Sequence, residues 1–153
     1  MEIERKWVLP GPPSVLKGKG EPIAQGYIFT DNGELRLRSK GSHYYLTVKG
    51  DGDIIRDEWE VEIPKWVFET LWPKTEGKRV EKVRYTLGRL EIDVYGGHLT
   101  GLVTLECEFP NESEAARFRL PQWAVSAVEV TNDKAYKNKN LAIRGLPKGS
   151  DFR

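Results

Sequence analysis

Charged and apolar residues alternate in at least seven short segments of this chain, and this alternation constrains the fold more than any other feature of the sequence. Residues two apart point to the same face of a β-strand, so each segment has one charged face and one largely apolar face. The pattern therefore predicts an antiparallel sheet or barrel. The charged positions are Glu2/Glu4/Lys6, Arg36/Arg38, Lys49 beside Thr47, Glu58/Glu60/Glu62, Lys82/Arg84, Glu91/Asp93 and Glu106/Glu108.

Turn residues divide the chain between these segments. Gln25–Thr30 and Glu34–Ser39 flank Asp31-Asn32-Gly33, which predicts a hairpin because Asn-Gly accepts positive φ at little cost. Further strands are predicted at His43–Lys49, Ile54–Ile63, Arg79–Thr86, Leu90–Tyr95, Leu102–Phe109 and Ala127–Val130. Helices are predicted from Pro64 to near Pro73, from Asn111 to Phe118, and over Asp133–Ile143. We expect a single α+β domain over residues 1–153, built around an antiparallel barrel.

The composition argues against several classes of protein. Lys and Arg total 24 against 23 Asp and Glu, so the chain lacks the cationic excess of a nonspecific nucleic-acid binder. The single cysteine, Cys107, excludes an intramolecular disulfide and is typical of a reducing compartment. No apolar run approaches the roughly 20 residues of a membrane helix, and the start is acidic where a signal peptide would be basic. We expect a cytoplasmic protein that binds neither nucleic acid nor membranes.

The charged faces are sorted by sign, which an ordinary solvated sheet does not explain. Such a sheet accounts for alternation, but like charges two residues apart repel and stability alone would mix them. A closed barrel with these faces inward would gather acidic and basic groups in one wet lumen. A polyanionic phosphate on the Arg and Lys residues, with a divalent cation on the glutamates, would neutralise both signs.

The order and spacing of these motifs resemble the triphosphate tunnel metalloenzymes of the CYTH superfamily, in their short bacterial, inorganic-triphosphatase-like branch. The resemblance covers essentially the whole chain and implies an eight-stranded antiparallel β-barrel tunnel, with a few short helices outside and at the C-terminus. It rests on Glu2–Lys6, Gln25–Tyr27, Leu35–Arg38, Thr47–Lys49, Leu71–Pro73, Thr75–Lys82, Glu91–Val94, Glu106–Phe109 and Asp133–Lys139.

The resemblance implies a role for each charged strand. Its metal ligands for Mg²⁺ or Mn²⁺ would be Glu2, Glu4, Glu106 and Glu108, with Glu108 the likelier direct ligand of the last pair. Supporting residues that orient water or cations would be Glu60 and Asp93. Phosphate oxygens would be held by Lys6, Arg36, Arg38, Lys49, Lys82 and Arg84.

The general base stays open between two alternatives. The resemblance gives the role to Lys82, whose pKa a cationic neighbour such as Arg84 could lower. Alternatively the metal generates its own hydroxide, and Lys82 is a phosphate ligand.

Inorganic tripolyphosphate is the simplest substrate. The adenylate cyclases of the superfamily carry a His-Phe pair ahead of the acidic motif, and no such pair precedes Glu2 here. The alternatives are a thiamine- or nucleoside-triphosphatase, or a noncatalytic polyphosphate-binding module. Oligomeric state stays open, with a homodimer among the alternatives.

Several residues outside the charged faces have ordinary structural interpretations. Trp7, Trp59, Trp66 and Trp72 are predicted to pack against apolar neighbours, and Cys107 is predicted to lie in the core. For Lys134 and Lys137, a solvated helix face and a contact with the tunnel mouth are about equally expected.

Overall fold

The computed structural model of the protein describes residues 3–29, 31–50 and 58–147, and these form nine strands and three α-helices. The strands are β1 (Ile3–Val8), β2 (Glu21–Phe29), β3 (Glu34–Lys40), β4 (His43–Lys49), β5 (Glu58–Glu62), β6 (Arg79–Leu87), β7 (Leu90–Tyr95), β8 (Val103–Phe109) and β9 (Val128–Glu129). The α-helices are α1 (Lys65–Leu71), α2 (Glu112–Arg117) and α3 (Asn138–Arg144). Short 3₁₀ helices cover Trp72–Thr75, Gly97–Leu99, Gln122–Ala124 and Lys134–Tyr136.

All the strands pair antiparallel in one sheet of order β5-β4-β3-β2-β6-β7-β8-β1-β9. The expected eight-stranded closed barrel is therefore wrong in two respects: the described sheet has nine strands, and its edges do not pair with each other. A barrel closes only when its edge strands can share a ladder. Strand β9 has only two residues, Val128 and Glu129, and both pair with β1.

Local sequence signals confirm several boundaries. In the predicted hairpin turn, Asn32 has φ 55° and Gly33 has φ 117°, the positive values that this dipeptide favours. The Asn111 side chain accepts a hydrogen bond from the Glu114 backbone N–H at 2.9 Å, which caps α2 as expected. Of the predicted strand Ile54–Ile63, residues 54–57 lie outside the described residues.

The last helix begins later than predicted. Asp133 accepts from the Ala135 backbone N–H at 3.0 Å and starts a 3₁₀ turn, not an α-helix. Lys137 is then extended, with φ −69° and ψ 141°, so the α-helix begins at Asn138.

Two apolar clusters hold the sheet in place. The first lies on the face opposite the charged one, where Trp7, Ile92, Leu105 and Cys107 are buried near α2. The second lies at one end of the charged face. Tyr136, Leu141 and Ala142 from the C-terminal segment pack there against residues of the sheet, namely Val8, Tyr27, Val80 and Tyr95, and against Leu99 and Leu102.

The burial expected for the tryptophans is confirmed in part. Trp7 is buried, and Trp72 packs in a ring stack with Phe68 at 4.9 Å. Trp59 and Trp66 are exposed by 56% and 69%, so the packing predicted for them is wrong within the described residues. Trp59 belongs to β5, which is an edge strand and pairs only with β4 among the described strands. Among the described residues, no helix is long and apolar enough to cross a membrane.

Candidate active site

The sheet register places every described candidate residue on one face. Partners directly across neighbouring strands share a face, and the partner pairs run unbroken from Lys6–Glu106 through Asp93–Arg84 to Thr47–Glu60. The residues on this face include Glu4, Lys6, Arg36, Arg38, Lys49, Glu60, Lys82, Arg84, Asp93, Glu106 and Glu108. Glu2 lies outside the described residues.

A cavity of about 480 Å³ opens on this face. Glu4, Lys6 and Glu106 line it from β1 and β8, while Arg36 and Lys49 line it from β3 and β4. These strand pairs are well separated in the sheet, so the sheet curls until its charged face is concave. Residues of the C-terminal segment form a third wall: Val130, Thr131, Asp133, Lys134 and Tyr136 through Asn140.

Acidic groups crowd one side of the cavity. Glu4 lies directly across from Glu108, and its carboxyl group shares a hydrogen bond with Glu106. Partial burial and the charges of Glu106 and Glu108 outweigh the attraction of Lys6 and raise the pKa of Glu4 to about 7. This side of the cavity therefore carries an excess of negative charge when all three groups are ionised.

Lys6 joins the acidic side to the C-terminal segment. Its ammonium group lies 3.4 Å from a Glu106 carboxylate oxygen and donates a 2.6 Å hydrogen bond to the Tyr136 carbonyl. Its backbone is also tied to that segment, because its N–H donates to the Thr131 hydroxyl at 3.0 Å and its carbonyl accepts from the Val130 N–H at 2.8 Å.

The carboxylates do not already form a complete metal site. Within residues 3–29, 31–50 and 58–147, no group of three or more His, Cys, Asp or Glu side chains is arranged to hold a cation. The described part of the predicted ligand set is Glu4, Glu106 and Glu108, all oxygen donors of the kind that Mg²⁺ and Mn²⁺ prefer.

The basic side presents donors that lack acceptors. The Nε atoms of Arg36 and Arg38 are buried and make no hydrogen bond to the described part of the chain. Arg36 also lies 3.3 Å from Glu34 and 3.9 Å from Glu58, and Arg38 lies 3.8 Å from Glu60. A buried N–H without a partner costs about 1–3 kcal/mol, so these two atoms indicate a missing acceptor.

Lys82 and Arg84 are held by one buried carboxylate. Asp93 accepts from Arg84 through Nε at 2.8 Å and Nη2 at 2.9 Å, and its Oδ2 lies 2.8 Å from the Lys82 ammonium. Burial alone would raise the pKa of Asp93, but the Arg84 hydrogen bonds and the Lys82 charge outweigh it and lower that pKa below its usual value. Hydrogen bonding to Asp93 raises the pKa of Arg84.

Sequence reasoning missed several groups in the cavity wall, among them Tyr27, Glu34 and Asn138. Glu34 shares the parity of Arg36 and Arg38, and Tyr27 shares that of Gln25, so alternation alone would have placed both on the charged face. Asn138 carries no such signal, because its position depends on how the C-terminal segment crosses the sheet. Lys134 and Lys137 line the same cavity, as the contact with the mouth predicts, and both are also exposed to solvent.

The chain is similar over nearly its whole length to curated relatives, although no family model matches it. It is 46% identical to an inorganic triphosphatase of Nitrosomonas europaea, covering 93% of this chain and 97% of that protein. It is 39% identical to an inorganic triphosphatase of Acetivibrio thermocellus, covering 92% of each. A solved structure of an inorganic triphosphatase matches with a TM-score of 0.77 and 44% identity, covering 95% of this chain and 99% of that one.

Proposed function

This chain belongs to the inorganic triphosphatase family, within the triphosphate tunnel metalloenzymes of the CYTH superfamily, and from that premise we propose that it hydrolyses inorganic tripolyphosphate. The observation that carries the proposal is the pair of buried Nε–H groups on Arg36 and Arg38 that lack acceptors in the described residues. Phosphate oxygens are strong acceptors, and a guanidinium group can bind two of them at once.

Different cations of the cavity wall bind different parts of the phosphate chain. Arg36 and Lys49 line the cavity, and Arg38 lies beside Arg36 on the same strand face. In the proposed complex these three residues hold oxygens along the phosphate chain. Lys6, between the two walls, contacts the phosphate nearest the carboxylates. The ion pairs of Arg36 and Lys49 with Glu58 measure 3.9 Å, long enough for phosphate to displace the carboxylate.

The carboxylate side fits a divalent cation. Glu4 and Glu106 lie close enough to share a hydrogen bond, and Glu108 faces Glu4 across the strand pair. In this proposal these three residues, with Glu2, hold Mg²⁺ or Mn²⁺. A cation held there would supply neutralisation of phosphate charge and an activated water for the attack.

Lys82 is proposed as a phosphate-positioning group in preference to a general base. Its ammonium is almost fully buried, with a side-chain exposure of 4%, and lies 2.8 Å from Asp93. Loss of its proton would remove one of the two charges that compensate the buried Asp93 carboxylate. In hydrolysis, water adds across one P–O–P anhydride bond to give pyrophosphate and orthophosphate, and Lys82 and Arg84 orient the chain for that attack.

The test is phosphate release from tripolyphosphate, ATP and thiamine triphosphate, each with Mg²⁺, with Mn²⁺ and with chelator. We expect tripolyphosphate with metal to be the fastest reaction and chelator to abolish it. Glu4→Gln should lower kcat by at least about 100-fold, since it removes the charge of a proposed ligand. Glu69→Gln, an exposed change on α1, is the matched control and should keep the wild-type rate.

Three results would contradict parts of this proposal. Faster release from ATP or thiamine triphosphate would favour an organic triphosphatase. Binding of tripolyphosphate without turnover under either metal would favour a noncatalytic binding module. Wild-type rates in Glu4→Gln would remove the carboxylate side of the cavity from the reaction.

A further inference from the structure

The C-terminal segment contributes a polar wall to the cavity that the charged strands do not account for. We call residues 130–140 the C-terminal strap. Its start is tied to β1 by the backbone bonds between Val130 and Lys6 and by the Thr131 hydroxyl. Tyr136 is buried in the second apolar cluster and anchors its middle. The strap is therefore held against the sheet both at its start and at its middle.

One strap residue of the cavity wall has a buried polar atom without a partner among the described residues. The side-chain oxygen of Asn138 is buried and makes no hydrogen bond to any described residue, although Asn138 lines the cavity. The neighbouring Asn140 differs, because its amide nitrogen donates to the Lys134 carbonyl at 2.7 Å. Rotation of the Asn138 amide by half a turn would present its NH₂ group at the same point, where it could donate to an anion.

The strap also carries three cavity cations that have no counter-ion among the described residues. Lys134, Lys137 and Lys139 line the cavity, and no carboxylate of a described residue lies within ion-pair distance of their ammonium groups. By contrast, Lys6 and Arg36 each have a carboxylate within 3.4 Å. The strap side therefore repels cations and attracts any part of a polyanion that extends beyond the strand residues.

The cavity has room for a chain that reaches from one wall to the other. Its volume of about 480 Å³ corresponds to roughly 16 water molecules at about 30 Å³ each. A single phosphate held at Arg36 and Lys6 would leave much of that space empty and the Asn138 amide unpaired. A longer linear chain could contact both walls at once.

We propose that Asn138 is a specificity-determining residue: its amide donates to a phosphate group at the strap wall of the cavity, with Lys137 beside it, so that the site selects chains of three or more phosphates over pyrophosphate. This inference rests on the proposed function, because it assigns the end of the same site. The strap thereby distinguishes phosphate chains by length, since only a chain that spans the cavity gains the Asn138 hydrogen bond.

The test compares Asn138→Ala with wild type by titration calorimetry in chelator, where no turnover occurs, using tripolyphosphate and pyrophosphate. We expect the dissociation constant for tripolyphosphate to rise about tenfold, the effect of one buried hydrogen bond to a charged group, and that for pyrophosphate to change less than about twofold. With Mg²⁺, KM for tripolyphosphate should rise more than kcat falls. Asn132→Ala, at an exposed strap position outside the cavity wall, is the control and should leave both constants unchanged.

A merely structural role for Asn138 predicts a different result. If the side chain only supported the strap, Asn138→Ala would lower the melting temperature of the ligand-free protein, as Asn140→Ala should by breaking its bond to Lys134. Because the Asn138 oxygen is unpaired, we expect the ligand-free Asn138→Ala protein to melt at or above the wild-type temperature. Equal losses of affinity for both ligands, or none for tripolyphosphate, would overturn the inference. Failure of the wild-type protein to bind tripolyphosphate with chelator and with Mg²⁺ would instead overturn the proposed function.

Discussion

At the scale of single residues, Asp93 organises the basic half of the charged face. One carboxylate, 1% exposed, serves two cations on the adjacent strand, so Lys82 and Arg84 together keep a positive charge toward the ligand. The arrangement fixes both side chains before any phosphate arrives. Fixed dipoles and charges of this kind need little reorganisation when charge develops on a substrate.

Asp93→Asn should destabilise the fold in a pH-dependent way. At pH 7 we expect a loss of roughly 3–5 kcal/mol in the free energy of unfolding, because Lys82 and Arg84 lose their buried counter-charge. The folded-state pKa of Asp93 is lowered, so its contribution is complete above its unfolded pKa of about 3.9 and is lost as the pH falls through the folded value. Urea unfolding from pH 7 down to pH 3 should show that the difference in free energy of unfolding between Asp93→Asn and wild type narrows below about pH 4.

The control is Asp31→Asn, in the exposed hairpin turn, whose free energy of unfolding should change little at any pH. If the difference between Asp93→Asn and wild type stayed constant with pH, the charge of Asp93 would not be its cause.

Arg38 tests whether the unpaired guanidinium donors bind phosphate. Arg38→Ala should lower kcat/KM for tripolyphosphate by about 100-fold or more, because it removes a charge and a fork of donors. Arg38→Lys should recover only part of the loss, since lysine restores the charge without the planar fork. Steady-state kinetics with Arg117→Ala, at the end of α2, as control would measure this. An unchanged kcat/KM in Arg38→Ala would mean that the basic strand face does not meet the substrate.

At the scale of elements, β2 packs closely against the 3₁₀ helix Trp72–Thr75, and Gly26 allows this close approach. Gly26 lies opposite the 3₁₀ helix Trp72–Thr75, and a β-carbon there would come within 2.6 Å of the Thr75 Cβ and Oγ1 atoms. Thr75 cannot easily move away, since its hydroxyl donates to the Trp72 carbonyl and accepts from Arg79. Glycine is required here by space, not by backbone conformation.

Gly26→Ala should therefore destabilise the protein by roughly 1–3 kcal/mol, the usual effect of overpacking. Chemical denaturation would measure it. Gly96→Ala is the matched control, because a β-carbon at Gly96 meets no atom within 4 Å. A Gly26→Ala protein as stable as Gly96→Ala would show that the β2 contact relaxes without cost.

At the scale of the whole molecule, like charges repel one another on each side of the charged face, and a ligand can relieve this repulsion. Arg36, Arg38 and Lys49 crowd one side of the concave sheet, and the raised pKa of Glu4 reports crowding on the other. A polyanion with a divalent cation would neutralise both sides and would bind only the folded chain. The ligand-free protein should therefore be measurably less stable than its complex.

Tripolyphosphate with Mg²⁺ should raise the melting temperature markedly. At about 100 times its dissociation constant a ligand adds roughly 2.7 kcal/mol, which for a chain of this size corresponds to roughly 5–10 °C. Orthophosphate should give a much smaller shift, since it reaches fewer of the basic side chains. Differential scanning fluorimetry at matched ionic strength would compare them. Equal shifts from the two anions would contradict a site built for a chain of phosphates.

Much of the local structure could be predicted from the sequence. Alternation with a period of two assigns each charged side chain to a strand face, and this placed Arg36, Lys82 and Glu106 on one face before any contact was known. The Asn32-Gly33 turn and the Asn111 cap follow from backbone preferences of neighbouring residues. These features depend on interactions within a few residues along the chain, which a sequence displays directly.

Only the tertiary structure determined which residues of those faces enclose the cavity and which stay exposed. The open edges at β5 and β9, the exposed Trp59 and the path of the strap depend on which distant segments meet. Asn138 lies in the cavity because Tyr136 is buried against β1, β2, β6 and β7 residues more than 40 positions away, a contact that no local pattern encodes. Sequence periodicity determined which side chains share a face, whereas long-range packing determined which of them enclose a common space.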